Sequence, residues 1–359
     1  MENKFIKVLQ EKVVEWKNNN YKGVEKETKN ILDFIKKVGY LHQPQLEAFE
    51  TYVYLKEIIG NVPFTESIKR IFENDRDLIE LLELNKEEAL DILFSPDKDK
   101  RINQLIEDKF NGIDYPNQIY ALSMGTGKTI LMGVMMVYDF ILSYFHEDDK
   151  RFAKNALVFS PDTTIIESLK EIKTFNYTMV IPKEYRQILL NIKYHYLESP
   201  ETPLNPIGNY NVVVSNSQKI ILKTQHKQDN HLRLFRDENS LKNRAIENRR
   251  LQAIRSLNNL VVFVDEAHHS FGLTLEGTLK KTRETINYLH KEGNPIVATI
   301  NLTGTPYVKN KMLPHVVYFF GLKQGIEKGI LKQIKFFEYG NVHTRDFIED
   351  VLEKFWSQY

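Results

Sequence analysis

The sequence predicts an α/β protein built on a parallel sheet and preceded by a helical region. From residue 115 onward, short β-rich runs alternate with helical stretches, the order typical of parallel sheets. One run, Val212–Val214, is apolar at every position, as expected of a strand covered on both faces. Before residue 115 the apolar residues follow the helical period instead. The predicted strands are Gln118–Met124, Ala156–Ser160, Asn211–Ser215, Leu260–Val264 and Ile296–Thr303.

Residues 1–114 are predicted to form a helical accessory region. Leu46, Phe49 and Val53 recur at intervals of three and four positions, which is the period of a helix. Gly60 is the predicted end of that helix. Residues 41–114 contain 17 Asp and Glu residues against 9 Lys and Arg residues. Their predicted surface is therefore acidic and solvated, and unsuited to binding phosphates.

Composition excludes several classes of protein. The chain has no cysteine, which excludes disulfides, zinc–thiolate sites, iron–sulfur clusters and cysteine nucleophiles. Its 49 basic and 48 acidic residues give a net charge of +1, which argues against a basic-tail protein that binds through bulk charge. The longest apolar run, Ile130–Phe145, is interrupted by Asp139 and is predicted to be a buried helix rather than a membrane span. No targeting segment is recognised, so the expected location is the cytoplasm, with no membrane partner.

The strongest chemical signal is a glycine-rich phosphate loop between a predicted strand and a predicted helix. Glycines let the backbone wrap closely around an anion, and the amides at the start of the helix then point at phosphate oxygens. In this interpretation Lys128 reaches the β- and γ-phosphates of ATP, and Thr129 supplies a ligand to Mg²⁺. The strict pattern has glycine where this chain has Leu122, which affects only the start of the loop. The predicted nucleotide-binding residues of this P-loop NTPase domain are Gly125, Thr126, Gly127, Lys128 and Thr129.

A second signal is a pair of carboxylates directly after the predicted strand Leu260–Val264. Asp265 is predicted to hold Mg²⁺, and Glu266 to orient and deprotonate the attacking water as general base. Adjacent carboxylates repel each other, and a divalent cation relieves that repulsion. Two histidines follow, but there is no HExxH motif and no cysteine to complete a zinc site. A polar coupling role near the γ-phosphate is therefore the prediction for His268.

The ordered motifs resemble those of superfamily 2 helicases and translocases. GTGKT at 125–129 is followed by DEAHH at 265–269 and LTGTP at 302–306. The DEAHH variant and the stretch at 316–332 are similar to the Res subunits of type III restriction enzymes. The resemblance implies a RecA-like first lobe that binds ATP and Mg²⁺. It also implies a nucleic-acid-dependent ATPase in restriction or a related defence system, with DNA favoured over RNA as the polymer and the choice between the two left open.

The resemblance also implies roles for residues outside the two strong motifs. Thr303 and Thr305 lie in the segment similar to the family's motif III and would couple the ATP state to the grip on nucleic acid. Gln45 is the candidate for the upstream glutamine that reads the edge of adenine, and an ordinary glutamine at a helix start is the alternative. The candidate nucleic-acid contacts are Ser160 and Pro161 after the second strand, and Asn216 and Gln218 after the third.

The sequence departs from the family's pattern after the third motif. Such motors have two RecA-like lobes, and no arginine-rich motif of the type QxxGRxxR follows Pro306. The expected organisation is a helical region at 1–114, a first lobe at 115–320, and a linker or the start of a truncated part at 321–359. The absent second lobe is expected in the full-length chain or in another subunit, and a modification or specificity subunit is a further candidate partner. Because an arginine finger contributes about 10³–10⁵ in rate where one is used, the chain alone is expected to hydrolyse ATP slowly.

Two other functions stay open from the sequence. The chain could be a phosphate-loop ATPase that does not act on nucleic acid, or a nucleotide-dependent interaction module without catalysis. Residues 219–257 carry 10 basic against 4 acidic residues. This composition predicts either an exposed helical insertion or a surface that meets nucleic-acid backbone.

Overall fold

The computed structural model contains a seven-stranded sheet flanked by helices. Residues 1–321 form one compact unit. Residues 322–359 form a second unit, which contains the helices Leu322–Glu327 and Arg345–Trp356. The structure describes residues 4–72, 74–110, 112–160, 163–198, 202–216, 249–267, 278–308, 311–332 and 345–357.

The seven strands of the sheet all run parallel. Together with a separate hairpin, the described part of the chain has nine strands, which in chain order are β1 (Asn117–Leu122), β2 (Asn155–Ser160), β3 (Lys193–Leu197), β4 (Asn211–Asn216), β5 (Leu260–Val264), β6 (Ala298–Thr303), β7 (Tyr307–Val308), β8 (Lys311–Met312) and β9 (Val316–Phe320). The order across the sheet is β3-β4-β2-β5-β6-β1-β9, and β7 and β8 form a separate antiparallel hairpin. The predicted α/β class with a parallel sheet is therefore confirmed.

The observed strands differ from the predicted ones at both edges of the sheet. β3 and β9 are additional strands that the sequence did not indicate. β3 alternates charged and aromatic residues and is half exposed, so its composition resembles that of a loop. β1 ends at Leu122 instead of Met124 because Ser123 and Met124 already belong to the phosphate loop, and β6 begins at Ala298 instead of Ile296. The basic segment 219–257 lies outside the described residues up to position 248.

The N-terminal part is a series of helices joined by short turns. They are α1 (Lys4–Asn18), α2 (Lys26–Val38), α3 (Gln43–Val53), α4 (Phe64–Ile71), α5 (Asp75–Leu82), α6 (Lys86–Leu93) and α7 (Lys98–Phe110). α3 continues without a break into a π-helix, Tyr54–Ile58, which ends two residues before the predicted stop at Gly60. α1 and α3 pack on β9, and α2 and α3 pack on α8 (Lys128–Phe145), so these helices cover the sheet directly.

The α8 helix is the most apolar helix of the described chain and follows the phosphate loop. By length and composition it could span a membrane, but 72% of it is buried inside the fold, which confirms the predicted buried helix. After α8 come α9 (Thr163–Leu169), α10 (Glu171–Thr174), the 3₁₀ helices Tyr177–Met179 and Lys183–Asn191, and the long helix Thr278–Glu292 between β5 and β6.

Buried polar groups join the N-terminal helices to α8. In the π-helix, Lys56 Nζ donates to Asp139 Oδ2 at 2.7 Å, and both side chains are 0% exposed. Beside this pair, Glu57 accepts hydrogen bonds from the hydroxyls of Tyr138 and Thr28. Burial lowers the pKa of Lys56 and raises the pKa of Asp139, while the charge of each partner opposes the shift of the other. Removing one partner of a buried pair costs about 3–5 kcal/mol, so this contact holds the π-helix firmly against α8.

Candidate functional site

Three loops meet at the carboxyl edge of the sheet. β6 lies between β5 and β1, and all three strands are parallel, so the loops that follow them leave the sheet side by side. The loop after β1 is the predicted phosphate loop, the loop after β5 begins with Asp265, and the loop after β6 begins beyond Thr303. Open α/β sheets bind ligands at this edge, and the three ordered sequence motifs converge there.

The phosphate loop has the backbone that its glycines allow. Gly125 has φ +78° and Gly127 has φ +76°, conformations that other residues rarely adopt. The hydroxyl of Thr126 is buried and donates to the carbonyl of Ser123 at 2.7 Å, which ties the loop to the end of β1. Helix α8 then begins at Lys128. The free amides of its first turn therefore lie directly after the loop, as an anion-binding site requires.

Lys128 reaches across from this loop to the acidic pair. Its Nζ lies 3.2 Å from Glu266 Oε1, and the two side chains are only 9% and 15% exposed. The residues are far apart in sequence, so the contact depends on the neighbouring positions of β1, β6 and β5 in the sheet. Glu266 has φ +45°, a left-handed backbone that is unfavourable for a residue with a side chain. Strained backbone of this kind is common at functional sites.

Asp265 is the more deeply buried carboxylate of the pair. Its backbone amide donates to the carbonyl of Phe159 at 2.9 Å, which continues the β2–β5 pairing and fixes the start of the loop. Burial, together with the negative charge of Glu266, raises the pKa of Asp265 to about 6, while Lys128 lowers it. A carboxylate in this setting is stabilised by a cation placed beside it.

The loop after β6 lies against the phosphate loop. A Cβ atom placed on Gly304 would lie 3.8 Å from Lys128 Nζ and 3.5 Å from a side-chain atom of Met124. Thr303 is fully buried, and its hydroxyl oxygen accepts a hydrogen bond from the amide of Thr305 at 3.2 Å, while Thr305 itself is exposed. The loop therefore has one anchored and one accessible threonine next to the phosphate-loop lysine.

Gln45 also lies against the phosphate loop, from the N-terminal helices. Its Oε1 accepts from the amide of His42 at 2.9 Å, and its Nε2 donates to the carbonyl of Gly127 at 3.0 Å. Because the His42 amide can only donate, the orientation of the Gln45 side-chain amide is fixed. One N–H of Nε2 and one lone pair of Oε1 are not used by these two bonds. A Cβ atom on Gly127 would lie 2.4 Å from Nε2 of Gln45, so a larger residue there would displace the Gln45 side chain.

The remaining predicted residues occupy different positions. Thr129 is half buried in the first turn of α8, beside Lys128. Ser160 ends β2 and is fully buried, next to the strand that carries Asp265. Asn216 is the last residue of β4, and its side chain is outside the described part. Pro161, Gln218 and His268 also lie outside the described residues.

The donor set at this edge fits a triphosphate with Mg²⁺. A lysine, a helix N-terminus and a glycine backbone suit phosphate oxygens, whereas carboxylate and hydroxyl oxygens suit Mg²⁺. Among the described residues, no group of three or more histidine, aspartate or glutamate side chains could hold a metal by itself. Mg²⁺ is usually held by one or two protein ligands together with substrate phosphates.

Two contributors to the site were not predicted. His42 orients Gln45 through its backbone amide, and the detectable signal was the spacing of three residues that forms a capping box at the start of α3. Gly304 brings the loop after β6 close to Lys128, and it lies inside the LTGTP segment. The pair Lys56 and Asp139 gave no local signal, since the two residues meet only in the folded chain.

Comparison with known proteins gives one family. The model of the family described as type III restriction enzyme, res subunit, matches residues 95–308, which is more than half of the chain. The matched region contains all three loops of the candidate site but not Gln45. No curated protein matches the chain.

Proposed function

The chain belongs to the family of type III restriction enzyme Res subunits, whose N-terminal lobe is of the superfamily 2 helicase type, and from this premise we propose that it is a nucleic-acid-dependent ATPase. The observation that carries the proposal is the contact between Lys128 and Glu266 at 3.2 Å, which brings the phosphate loop and the acidic loop into one site. The proposed organisation is a first motor lobe at 115–320, preceded by the helical region at 1–114.

ATP would bind at the start of α8. The amides of Gly125–Lys128 and the helix N-terminus would hold the phosphates, and Lys128 would place a positive charge beside the β- and γ-phosphates. Gln45 would read the base. Its unused N–H suits the acceptor N7 of adenine, and its unused lone pair suits the donor at N6. Guanine has an acceptor at position 6 and would face the same lone pair unfavourably.

Thr129 and Asp265 are the proposed protein ligands of Mg²⁺, which would neutralise negative charge on the phosphates. Glu266 is the proposed general base, since it lies beside Lys128 and can accept a proton from water next to the γ-phosphate. Thr303 and Thr305 would report the state of the nucleotide, because their loop contacts the phosphate loop at Lys128. His268, which follows Glu266 by two positions in the sequence, keeps its proposed coupling role.

DNA is the proposed polymer, held at the carboxyl ends of β2 and β4. Ser160 and Asn216 are the last residues of β2 and β4, on the same edge as the nucleotide site, and Pro161 and Gln218 follow them in the sequence. A second RecA-like lobe, in the full-length chain or in another subunit, would complete the site with an arginine, and a modification or specificity subunit is a further proposed partner. Turnover by this chain alone should accordingly be slow.

The test is ATP turnover with and without double-stranded DNA at two salt concentrations. We expect DNA to raise turnover, and the binding of DNA to weaken as salt increases. The same assay in the Glu266→Gln variant gives the background. Turnover without any response to DNA would favour an ATPase that does not act on nucleic acid. Nucleotide binding without turnover above the Glu266→Gln background would favour an interaction module.

A further inference from the structure

Helix α3 with its π-helix and the start of helix α8 lie next to the proposed nucleotide site, and hydrogen bonds connect the two segments at two places. Helix α3 starts near Gln45, whose Nε2 bonds to the carbonyl of Gly127 immediately before α8. About three helical turns further along both helices, Lys56 bonds to Asp139. Gln45 precedes Lys56 in one segment, and Gly127 precedes Asp139 in the other, so the two contacts follow each other in the same order on both. The helix that carries the base-reading residue and the helix that begins at the phosphate loop therefore run side by side in one direction.

The contacts between these two places are mostly aromatic. Phe49 and Tyr52 pack on Tyr138 with ring centroids 5.4 and 6.0 Å apart. Each edge-to-face pair contributes about 0.5–1.5 kcal/mol, which is less than the cost of separating two buried charges, so the rings alone fix the register of the two helices less firmly. An ion pair with a 2.7 Å hydrogen bond in a dry interior does fix it, because a displacement would leave two buried charges apart.

The π-helix places the charged residues where they are needed. Lys56 and Glu57 are neighbours in sequence, yet both reach α8, where Lys56 bonds to Asp139 and Glu57 to Tyr138. A π-helix closes its hydrogen bonds five residues back and turns less per residue than an α-helix, so consecutive side chains point more nearly the same way. The Lys56 ammonium is held further by the carbonyl of Arg151 at 3.0 Å. Insertions of this type are frequent at functional sites.

We propose that Lys56 and Asp139 are positioning residues for base selection: they fix α3 and its π-helix in register with α8, so that Gln45 stays at the distance from the phosphate loop that adenine requires. The inference rests on the proposed ATP site. The pair is not itself part of that site, and its proposed role is to position Gln45. Displacements of about 1 Å at a reacting or binding group can cost about 10²-fold, so a small slide of α3 along α8 would be sufficient to lose discrimination.

The test separates register from stability. In the double variant Lys56→Met with Asp139→Leu, apolar groups of similar volume replace the ion pair, an exchange that is often neutral or stabilising. Binding of ATP and of GTP with Mg²⁺ is measured by calorimetry, together with the midpoint of thermal unfolding. Asp139→Asn keeps an acceptor for Lys56 in the same place. Val213→Ala, in a buried position of β4, is the matched control for loss of stability alone.

We expect wild type to bind ATP at least tenfold more tightly than GTP. In the double variant this ratio of affinities should fall at least five-fold while the protein remains folded. Asp139→Asn and Val213→Ala should keep the ratio. A double variant that keeps the wild-type ratio overturns the positioning role, and Asp139→Asn losing the ratio as strongly as the double variant overturns it as well. Should the double variant fail to fold, Lys56→Met with the smaller Asp139→Ala takes its place, and a wild-type ratio in that variant overturns the positioning role. Wild type that binds neither nucleotide overturns the proposed function instead.

Discussion

Helix α8 takes part in two lysine–carboxylate pairs that differ in almost everything except their chemistry. Lys56 and Asp139 lie 2.7 Å apart, are both 0% exposed, and come from the π-helix and from the middle of α8. Lys128 and Glu266 lie 3.2 Å apart, remain partly accessible, and come from a helix start and a strained loop. The first pair is fully buried and is held further by the carbonyl of Arg151, which accepts from Lys56, whereas the second lies at an open edge where phosphate and Mg²⁺ fit. Burial therefore distinguishes an architectural pair from one whose partners can be exchanged.

The largest expected effect is the loss of ATP turnover when Glu266, of the pair Lys128 and Glu266, is replaced. Glu266→Gln preserves the shape of the side chain but removes the base, so ATP turnover should fall by about 10²–10⁴-fold with nucleotide binding retained. Steady-state phosphate release measures the first quantity, and calorimetry measures the second. Glu284→Gln, in an exposed position of the helix Thr278–Glu292, is the control and should leave turnover unchanged. Equal turnover in wild type and Glu266→Gln would remove Glu266 from the chemistry.

The architectural pair should respond in stability. Lys56→Met alone leaves Asp139 charged and buried, and the free energy of unfolding should drop by about 3–5 kcal/mol. Equilibrium denaturation in urea measures it. The control is Lys17→Met, since Lys17 pairs with Glu50 but is itself 27% exposed, and its loss should cost less. Similar losses for both variants would mean that burial does not separate the two kinds of pair.

His315 shows what burial does to a basic group that has no carboxylate beside it. Desolvation lowers the pKa of His315 to about 4, and the backbone carbonyl of Phe110, which accepts from its Nε2, only partly opposes the shift. Since Nδ1 faces the amide nitrogen of Asn117 at 2.6 Å, the neutral ring with its proton on Nε2 fits both neighbours.

The pH dependence follows from the direction of that shift. In the unfolded chain His315 takes up a proton near pH 6.5, whereas in the folded chain it does so only near pH 4. The stabilisation is therefore fully present above pH 6.5 and is lost as the pH falls towards 4, by at most about 3 kcal/mol. Urea titrations at pH 7 and pH 4.5 measure it, with His315→Asn as the comparison. The prediction fails if the variant loses as much stability as wild type over this range.

The smallest expected effect is on ATP affinity. Lys128→Ala removes one charged hydrogen-bond donor to phosphate, a loss of about 1.5–3 kcal/mol, which corresponds to roughly 10–100-fold in the dissociation constant. Calorimetry with ATP and Mg²⁺ measures it, and Lys150→Ala at an exposed position is the control. Full ATP affinity in Lys128→Ala would contradict the assignment of the phosphate loop.

How much the sequence predicts depends on whether a signal is local. The phosphate loop and Asp265 with Glu266 follow strands whose apolar runs are unambiguous, and their convergence follows from the rule that parallel strands share one carboxyl edge. β3 escaped prediction because a half-exposed edge strand with alternating polar and aromatic residues has no continuous apolar run.

The contacts of the N-terminal helices could not be predicted in the same way. Gln45 was a candidate because of the family's pattern, but its bond to Gly127 links positions that only the tertiary fold brings together. Likewise, Asp139 interrupted an apolar run in the sequence, and no periodicity identifies Lys56 as its partner. Buried polar pairs are selected by geometry, which a single sequence does not record.

The left-handed backbone at Glu266 has a practical consequence. At φ +45° a glycine would relieve about 1 kcal/mol of steric conflict, although part of this gain is offset by the greater freedom of glycine in the unfolded chain. Because Glu266→Gly also removes the ion pair with Lys128, its melting temperature should stay close to that of wild type, while its catalysis is abolished. A folded variant without turnover could be used to isolate complexes with a polymer or subunit that the active protein releases too quickly.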